Sequence, residues 1–242
     1  MTRDEWVAKC EYWKYKWPVM QPEYLDDTHG LNIYAVLEAI HKHSSDDAVI
    51  MCDAGSAFYM VPQAYKFKGM QRLVMSQSQG DMGWALPAAI GVAKAGAKNV
   101  IAIMGDGSFM SNMQELATIR EHKLPITIII LNNRGYLSIK NTQEKFYGNV
   151  HGVNEATGLW FPNFLDVGEC FRIATKKAWS IPTLDKCLKI AFEVDYPFIL
   201  ECLCVESQLI LPSQGFKDGK QAPLHDMVPF LSDEEMKQEM IA

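Results

Sequence analysis

Positive charge is in short supply: 23 Lys and Arg stand against 29 Asp and Glu in 242 residues, a net charge of -6. Without a basic stripe, the chain lacks the electrostatic footprint of a nucleic-acid binder or of a protein held on an anionic membrane. Long apolar runs are missing too. The longest, at 126–131 (ITIIIL), is far below the roughly 20 residues that cross a bilayer. The first 17 residues (MTRDEWVAKCEYWKYKW) contain no apolar stretch of signal-peptide length, so the sequence predicts a cytoplasmic protein whose partners are small molecules or other proteins.

The cysteines show a further absence. Cys10, Cys52, Cys170, Cys187, Cys202 and Cys204 include no CxxC pair, which gives no support to a zinc site or an iron–sulfur cluster. Cys202 and Cys204 alternate within FILECLCV, as side chains on one face of a strand do, and read as reduced core residues. Repeats, low-complexity tracts and linkers are also lacking. With 48% apolar residues, the chain has enough material for a sizeable core. We read 1–242 as a single domain with an N-terminal arm of about 1–30 and a C-terminal tail of about 208–242.

What is present is alternation. Residues 48–55 (AVIMCDAG), 99–107 (NVIAIMGDG), 126–133 (ITIIILNN) and 198–205 (FILECLCV) read as buried strands; 84–97, 111–123 and 183–195 read as helices. Val/Ile runs separated by amphipathic helices are the pattern of an α/β fold with an open, mostly parallel sheet and helices on both faces. Ligands in such sheets gather at the carboxyl ends of the strands. Three strand exits here carry unusual chemistry: DAGSAF at 53–58, GDGSFMSN at 105–112 and NNRGY at 132–136.

In GDGSF an apolar strand runs into an acid held between two glycines, and no lysine follows as a Walker loop requires. Asp106 and Asn133 close successive strands one helix and one strand apart. Neighbouring strand ends would bring together a carboxylate, a carboxamide and a loop carbonyl, an oxygen-only set suited to Mg²⁺. Mg²⁺ completes its shell with phosphates and water, and Gly107 and Ser108 offer N–H groups at a helix N-terminus for those phosphates. Ser111 and Gln114 fit a capping box for the helix that follows. Alone, either element is ordinary turn chemistry; the pair, correctly spaced, points to a metal and a diphosphate.

GDG, then a helix, a strand and NN resembles the signature of thiamine-diphosphate enzymes. SQGDMGWALPAAIG (78–91), DAGSAF, SFMSNMQELATI (108–119) and LPITIIILNN (124–133) are similar to segments of the acetohydroxyacid (acetolactate) synthase group, from about Leu31 to Leu211-Pro212. The resemblance implies that Asp106, the Asn133 carboxamide and the Gly135 carbonyl bind Mg²⁺. It further implies that Gly55, Ser56, Ala57, Gly107 and Ser108 line the diphosphate, with Gly105, Tyr136 and Leu137 among the residues that bind the cofactor. Met82 would wedge under thiamine diphosphate and bend it, while the Gly80 carbonyl accepts from the aminopyrimidine. The bend brings the cofactor's amino group next to the carbon that loses a proton.

The departures concern the substrate side. Asp81 stands where a small or hydroxylic residue is expected and adds a charge near the cofactor; Ser56 and Ala57 replace Gln and His; Leu137 replaces a glycine and Thr142 a tryptophan. The cofactor site looks intact, and the substrate pocket differs from that of a housekeeping synthase.

The resemblance also implies what is missing. The glutamate that protonates the aminopyrimidine belongs to a separate pyrimidine-binding domain, for which this chain has no room. Glu115 follows GDGSF within a helix and is expected to face a helix surface, so no catalytic residue is assigned here. The chain is then the diphosphate-binding subunit of a split synthase acting on a 2-oxo acid such as pyruvate by decarboxylation with carboligation. Its partner would be a pyrimidine-domain subunit, in a hetero-oligomer such as a dimer of heterodimers. The alternatives are the C-terminal part of a longer synthase, a simple 2-oxo acid decarboxylase subunit, or a non-catalytic scaffold that binds thiamine diphosphate. The Met1 start and the tail at 225–242 are compatible with a complete small gene product. The aromatic arm WVAKCEYWKYKW suits either a partner or its own domain. His41 and His43 sit at a helix end, where positive charge suits the dipole; His29, His122, His151 and His225 show no partner. Residues 217–220 (KDGK) read as a solvated turn of a possible lid.

Overall fold

Six short parallel strands in the order β2-β1-β3-β4-β6-β5 form the sheet in a computed structural model, which describes residues 1–217 and 219–240. They belong to the first of two units, Met1–Gln208. In chain order this unit holds α1 (Arg3–Lys16), α2 (Ile33–His43), β1 (Val49–Cys52), α3 (Ser56–Ala64), β2 (Arg72–Met75), α4 (Ala85–Lys94), β3 (Val100–Gly105), α5 (Asp106–Asn112), α6 (Leu116–Glu121), β4 (Ile126–Asn132), α7 (Leu137–Tyr147), α8 (Phe164–Cys170), β5 (Ala174–Ala178), α9 (Ile181–Glu193) and β6 (Phe198–Leu203).

The central strands are apolar on both sides because both sides are covered. Val100, Ala102 and Met104 of β3 and Ile126, Ile128 and Ile130 of β4 share one core cluster with Leu86 and Ala89 of α4 and with Leu116 and Ile119 of α6. The intervening Ile101, Ile103 and Ile129 are equally buried, and Thr127 Oγ1 donates to the Ala191 carbonyl of α9 at 3.1 Å. Each fully buried isoleucine contributes roughly 1.5–3 kcal/mol. The strands β2 and β5 are the sheet edges. Their sequences, RLVM and ATKKA, are half-exposed, as edge strands tolerate.

The strand order reverses between β1 and β3, since β1 pairs with β2 on one side and β3 on the other. That reversal opens a crevice above the carboxyl ends of these two strands, where ligands of doubly wound sheets bind.

Three local expectations need correction. The helix expected over 111–123 begins at Asp106, breaks into a 3₁₀ turn at Met113–Glu115, and resumes as α6. The Ser111–Gln114 capping box is therefore absent. Ser111 already lies inside α5 and its Oγ donates to the Gly107 carbonyl at 3.4 Å, while Gln114 Nε2 donates to Asn112 Oδ1 at 2.9 Å. His43 does more than complement a helix dipole: its Nε2 lies 2.6 Å from Asp185 Oδ1, which ties α2 to α9.

Helix α1 is capped by Thr2 and Glu5 and buries none of its residues. Its rings pack among themselves instead, with Trp6 and Trp13 edge to face at 5.9 Å and Lys9 and Lys16 over neighbouring rings. No helix among the described residues is long and apolar enough to cross a membrane.

The second unit, Leu209–Ala242, contains β7 (Phe216–Lys217), β8 (Lys220–Gln221) and α10 (Asp233–Glu239). The segment read as a turn has its flanks paired antiparallel, with Asp218 outside the described residues. Lys217 is not simply solvated: its Nζ lies 3.2 Å from Asp226 and 3.4 Å from Asp233.

Candidate functional site

Strands β3 and β4 are paired through Gly105 and Leu131, so the residues that follow them, Asp106 and the turn at 132–135, emerge side by side. In that turn Asn132 Oδ1 accepts from the Arg134 amide at 3.0 Å, and Arg134 takes a left-handed φ of 59°. The turn aims the Gly135 N–H back at Asp106 Oδ2, which accepts it at 3.0 Å; Asp106 Oδ1 accepts from the Gly107 amide at 2.7 Å. Asp106 is 1% exposed. Burial pushes its carboxyl up to about 7 despite those amides, because a low-dielectric site disfavours an unpaired charge. Asn133, also buried, lies beside it on the same cavity.

That cavity holds about 250 Å³. The exit of β1 contributes Ala54, Gly55, Ser56 and Ala57; the loop before α4 contributes Gly80 and Met82. The exit of β3 adds Gly105 to Ser108, and the exit of β4 adds Asn133, Gly135, Tyr136 and Leu137. All thirteen residues singled out for cofactor or metal thus line one cavity. Four more line it that the sequence reading missed: Ala54, Leu131, Ser138 and Ile139.

Asp53, a second buried acid at a strand exit, was passed over by the sequence reading. It is 2% exposed. Its carboxylate accepts from the amides of Ala54 (2.9 Å), Gly83 (3.1 Å), Trp84 (3.3 Å) and Ala85 (3.4 Å). From the other side, Asn112 Nδ2 donates to the Gly83 carbonyl at 2.8 Å. The peptide next to Met82 is therefore gripped by the β1 exit and by α5 at once. The available signal was position: Asp53 directly follows an apolar strand, as Asp106 does.

Other expected residues stand apart. Asp81 is exposed, accepts from Ser76 Oγ at 3.1 Å, and does not line the cavity. Glu115 accepts from Thr118 Oγ1 at 2.9 Å within its own helical segment. Thr142 Oγ1 donates to the Ser138 carbonyl one turn back.

The cavity fits a diphosphate that arrives with a cation. Among the described residues, its lining includes no Lys, Arg or His, and its one charged side chain is the acid Asp106. An anion alone would meet like charge there; an anion bridged by a divalent ion would not. The glycines keep the cradle open. A Cβ on Gly107 would sit 2.1 Å from Tyr136 Cε1, one on Gly135 2.2 Å from the Val153 carbonyl oxygen, and Gly55 holds a φ of 66°. Thus Tyr136 at Gly107 and Val153 at Gly135 leave no room for a side chain, and Gly55 holds a left-handed conformation that favours glycine.

The family described as "Thiamine pyrophosphate enzyme, C-terminal TPP binding domain" matches residues 53–202. The acetolactate synthase large subunit of Lactococcus lactis is 31% identical over 225 residues, covering 92% of this chain and 38% of that protein. That of the alga Porphyra purpurea is 31% identical over 208 residues, 86% of this chain and 34% of its own. Acetolactate synthase isozyme 3 large subunit of Escherichia coli is 31% identical over 170 residues, 69% of this chain and 28% of its own. The chain spans about a third of the length of these curated relatives.

Proposed function

The chain belongs to the thiamine pyrophosphate enzymes, through their C-terminal TPP-binding domain and in relation to acetolactate synthase large subunits, and from that premise we propose that it is the diphosphate-binding half of a two-part synthase. The reaction is decarboxylation of a 2-oxo acid such as pyruvate, followed by joining of the remaining fragment to a second carbonyl compound. Carboligation rather than simple decarboxylation is favoured by the similarity to the synthases, an analogy and not a feature of the site.

The observation that carries the reading is the cavity in which four chain segments meet around a single buried acid, with no cation of the protein's own. The Asp106 carboxylate, the Asn133 carboxamide and the Gly135 carbonyl hold Mg²⁺. The N–H groups of Ser56, Ala57 and Ser108 would donate to phosphate oxygens, while the Gly107 N–H stays on Asp106 Oδ1 and the backbone at Gly107 lets the diphosphate approach. Thiamine diphosphate, when bound, supplies the electron sink that makes loss of CO₂ from a 2-oxo acid feasible. Met82, held through Gly83 by Asp53 and Asn112, would support the cofactor from the cavity wall. The Gly80 carbonyl would accept from the amino group of the pyrimidine, and Tyr136 and Leu137, which line one wall, would help to exclude water.

In this reading the activating glutamate comes from a pyrimidine-binding domain on a separate subunit. The test is reconstitution: the purified chain is mixed with a pyrimidine-binding domain, thiamine diphosphate, Mg²⁺ and pyruvate, and acetolactate and CO₂ are measured. Turnover that needs both proteins supports the reading. A mixture that forms a complex and binds cofactor without turnover makes the chain a scaffold instead.

A further inference from the structure

In the apolar strand FILECL (β6), Glu201 is 2% exposed and stands between the buried Leu200 and Cys202. Strand register sets it beside Lys177 of β5 on one side and Ile130 of β4 on the other. Asn132 lies two residues beyond Ile130, so Lys177, Glu201 and Asn132 share one face of the sheet. Glu201 Oε2 lies 3.1 Å from Lys177 Nζ, an ionic contact without the alignment of a hydrogen bond. Its other oxygen, Oε1, accepts from Asn132 Nδ2 at 2.6 Å. None of the three residues lines the cavity of Asp106.

A buried ion pair is a poor source of stability, because desolvation of the two charges offsets their attraction. What the pair does here is orient a carboxamide. A carboxylate only accepts, so Glu201 takes the NH₂ side of Asn132 and leaves Oδ1 to the Arg134 amide, at 3.0 Å. That bond closes the turn in which Arg134 holds a φ of 59°, and the turn brings the Gly135 N–H to Asp106 Oδ2 at 3.0 Å. Contacts therefore run without a gap from Lys177 on the edge strand, through Glu201, Asn132 and the turn, to the buried acid. We propose that Glu201, balanced by Lys177, is a positioning residue that sets the 132–135 turn and with it the oxygens of Asn133 and Gly135 assigned to the metal. The inference rests on the thiamine-diphosphate reading where it concerns the metal; the link from Glu201 to the Gly135 amide stands without it.

The experiment follows hydrogen exchange of the Gly135 amide by NMR in the whole chain without metal or cofactor, and separately titrates the chain with Mg²⁺ and inorganic pyrophosphate by calorimetry. Two double variants remove the ion pair from both ends, so that neither charge is left buried alone. Lys177→Met with Glu201→Met also takes away the acceptor of Asn132. It is expected to speed Gly135 exchange and to weaken Mg²⁺-pyrophosphate binding, each by about tenfold, the lower end for a residue that orients metal ligands from behind. Lys177→Met with Glu201→Gln keeps an acceptor for Asn132 and should stay within about threefold of wild type in both readouts. Asn132→Ala leaves the pair in place and should lose Gly135 protection at least as far as the first double variant; it decides the matter if that variant does not fold. Wild-type exchange at Gly135 in the first double variant or in Asn132→Ala overturns the proposal. So does a second double variant as impaired as the first, which would make the ion pair or packing the cause. A wild-type chain that takes up no Mg²⁺-pyrophosphate overturns the cofactor reading, and Gly135 exchange then still decides the role of Glu201.

Discussion

The Gly135 amide donates to Asp106 Oδ2 at 3.0 Å, tying the exits of two adjacent strands at the point where the metal is proposed to bind. A carboxylate oriented by backbone N–H groups does not need the ion to find its geometry. It does need the ion to be comfortable as a charge, because burial leaves its proton affinity high.

That conflict gives a pH prediction. The ordinary carboxyl value of 3.8 is raised to about 7 in the fold, so the folded chain holds this proton more tightly than the unfolded chain does. The contribution to stability is complete below about pH 4 and is lost as pH rises through about 7. Asp106→Asn loses the acceptor of one backbone N–H at every pH, so without metal it should be less stable than wild type at pH 4, and the difference should move in the variant's favour by up to about 4 kcal/mol between pH 4 and pH 8. Urea denaturation at the two pH values checks this. Asp53 is shifted in the same direction by burial, so the variant retains part of the slope. Mg²⁺ with thiamine diphosphate should stabilise wild type and not the variant.

Two glycines separate steric causes. Gly107→Ala meets the Tyr136 ring, a side chain that can turn, whereas Gly135→Ala meets the Val153 carbonyl, which is backbone. Gly135→Ala should cost about 2–4 kcal/mol. Gly107→Ala should cost less stability and more cofactor affinity, and Tyr136→Ala in the same chain should restore the stability. Thermal melts of the single and double variants decide it.

Met82 and Asp53 should part company in a similar way. Met82 is 40% exposed, so Met82→Ala should change stability by less than about 1 kcal/mol while lowering turnover in the reconstituted enzyme. Asp53→Ala leaves four amides without their acceptor and should cost about 3 kcal/mol as well as cofactor affinity. Denaturation and cofactor titration on both variants measure the contrast.

The interior of this fold was legible because burial writes itself into sequence. Strands β1, β3, β4 and β6 are covered on both faces, so VIMC, VIAIMG, ITIIILN and FILECL carry no polar alternation to confuse the reading. The edges β2 and β5 were missed because RLVM and ATKKA mix exposed and buried residues over four or five positions. The cavity was legible at Asp106, Asn133 and Met82, where family motifs mark them. Asp53 was not, since its significance lies in partners 30 residues away. The start of α5 was misjudged because Asp-Gly reads as a turn, and here tertiary contacts carry it straight into a helix.

The most direct test of the assignment is titration of the wild-type chain and Asp106→Ala with thiamine diphosphate, each with Mg²⁺ and with EDTA. The prediction is saturable binding by wild type in Mg²⁺ alone, with no binding in EDTA and none by the variant under either condition. Equal binding with and without the metal, or equal binding by the variant, would contradict a cofactor site built on Asp106.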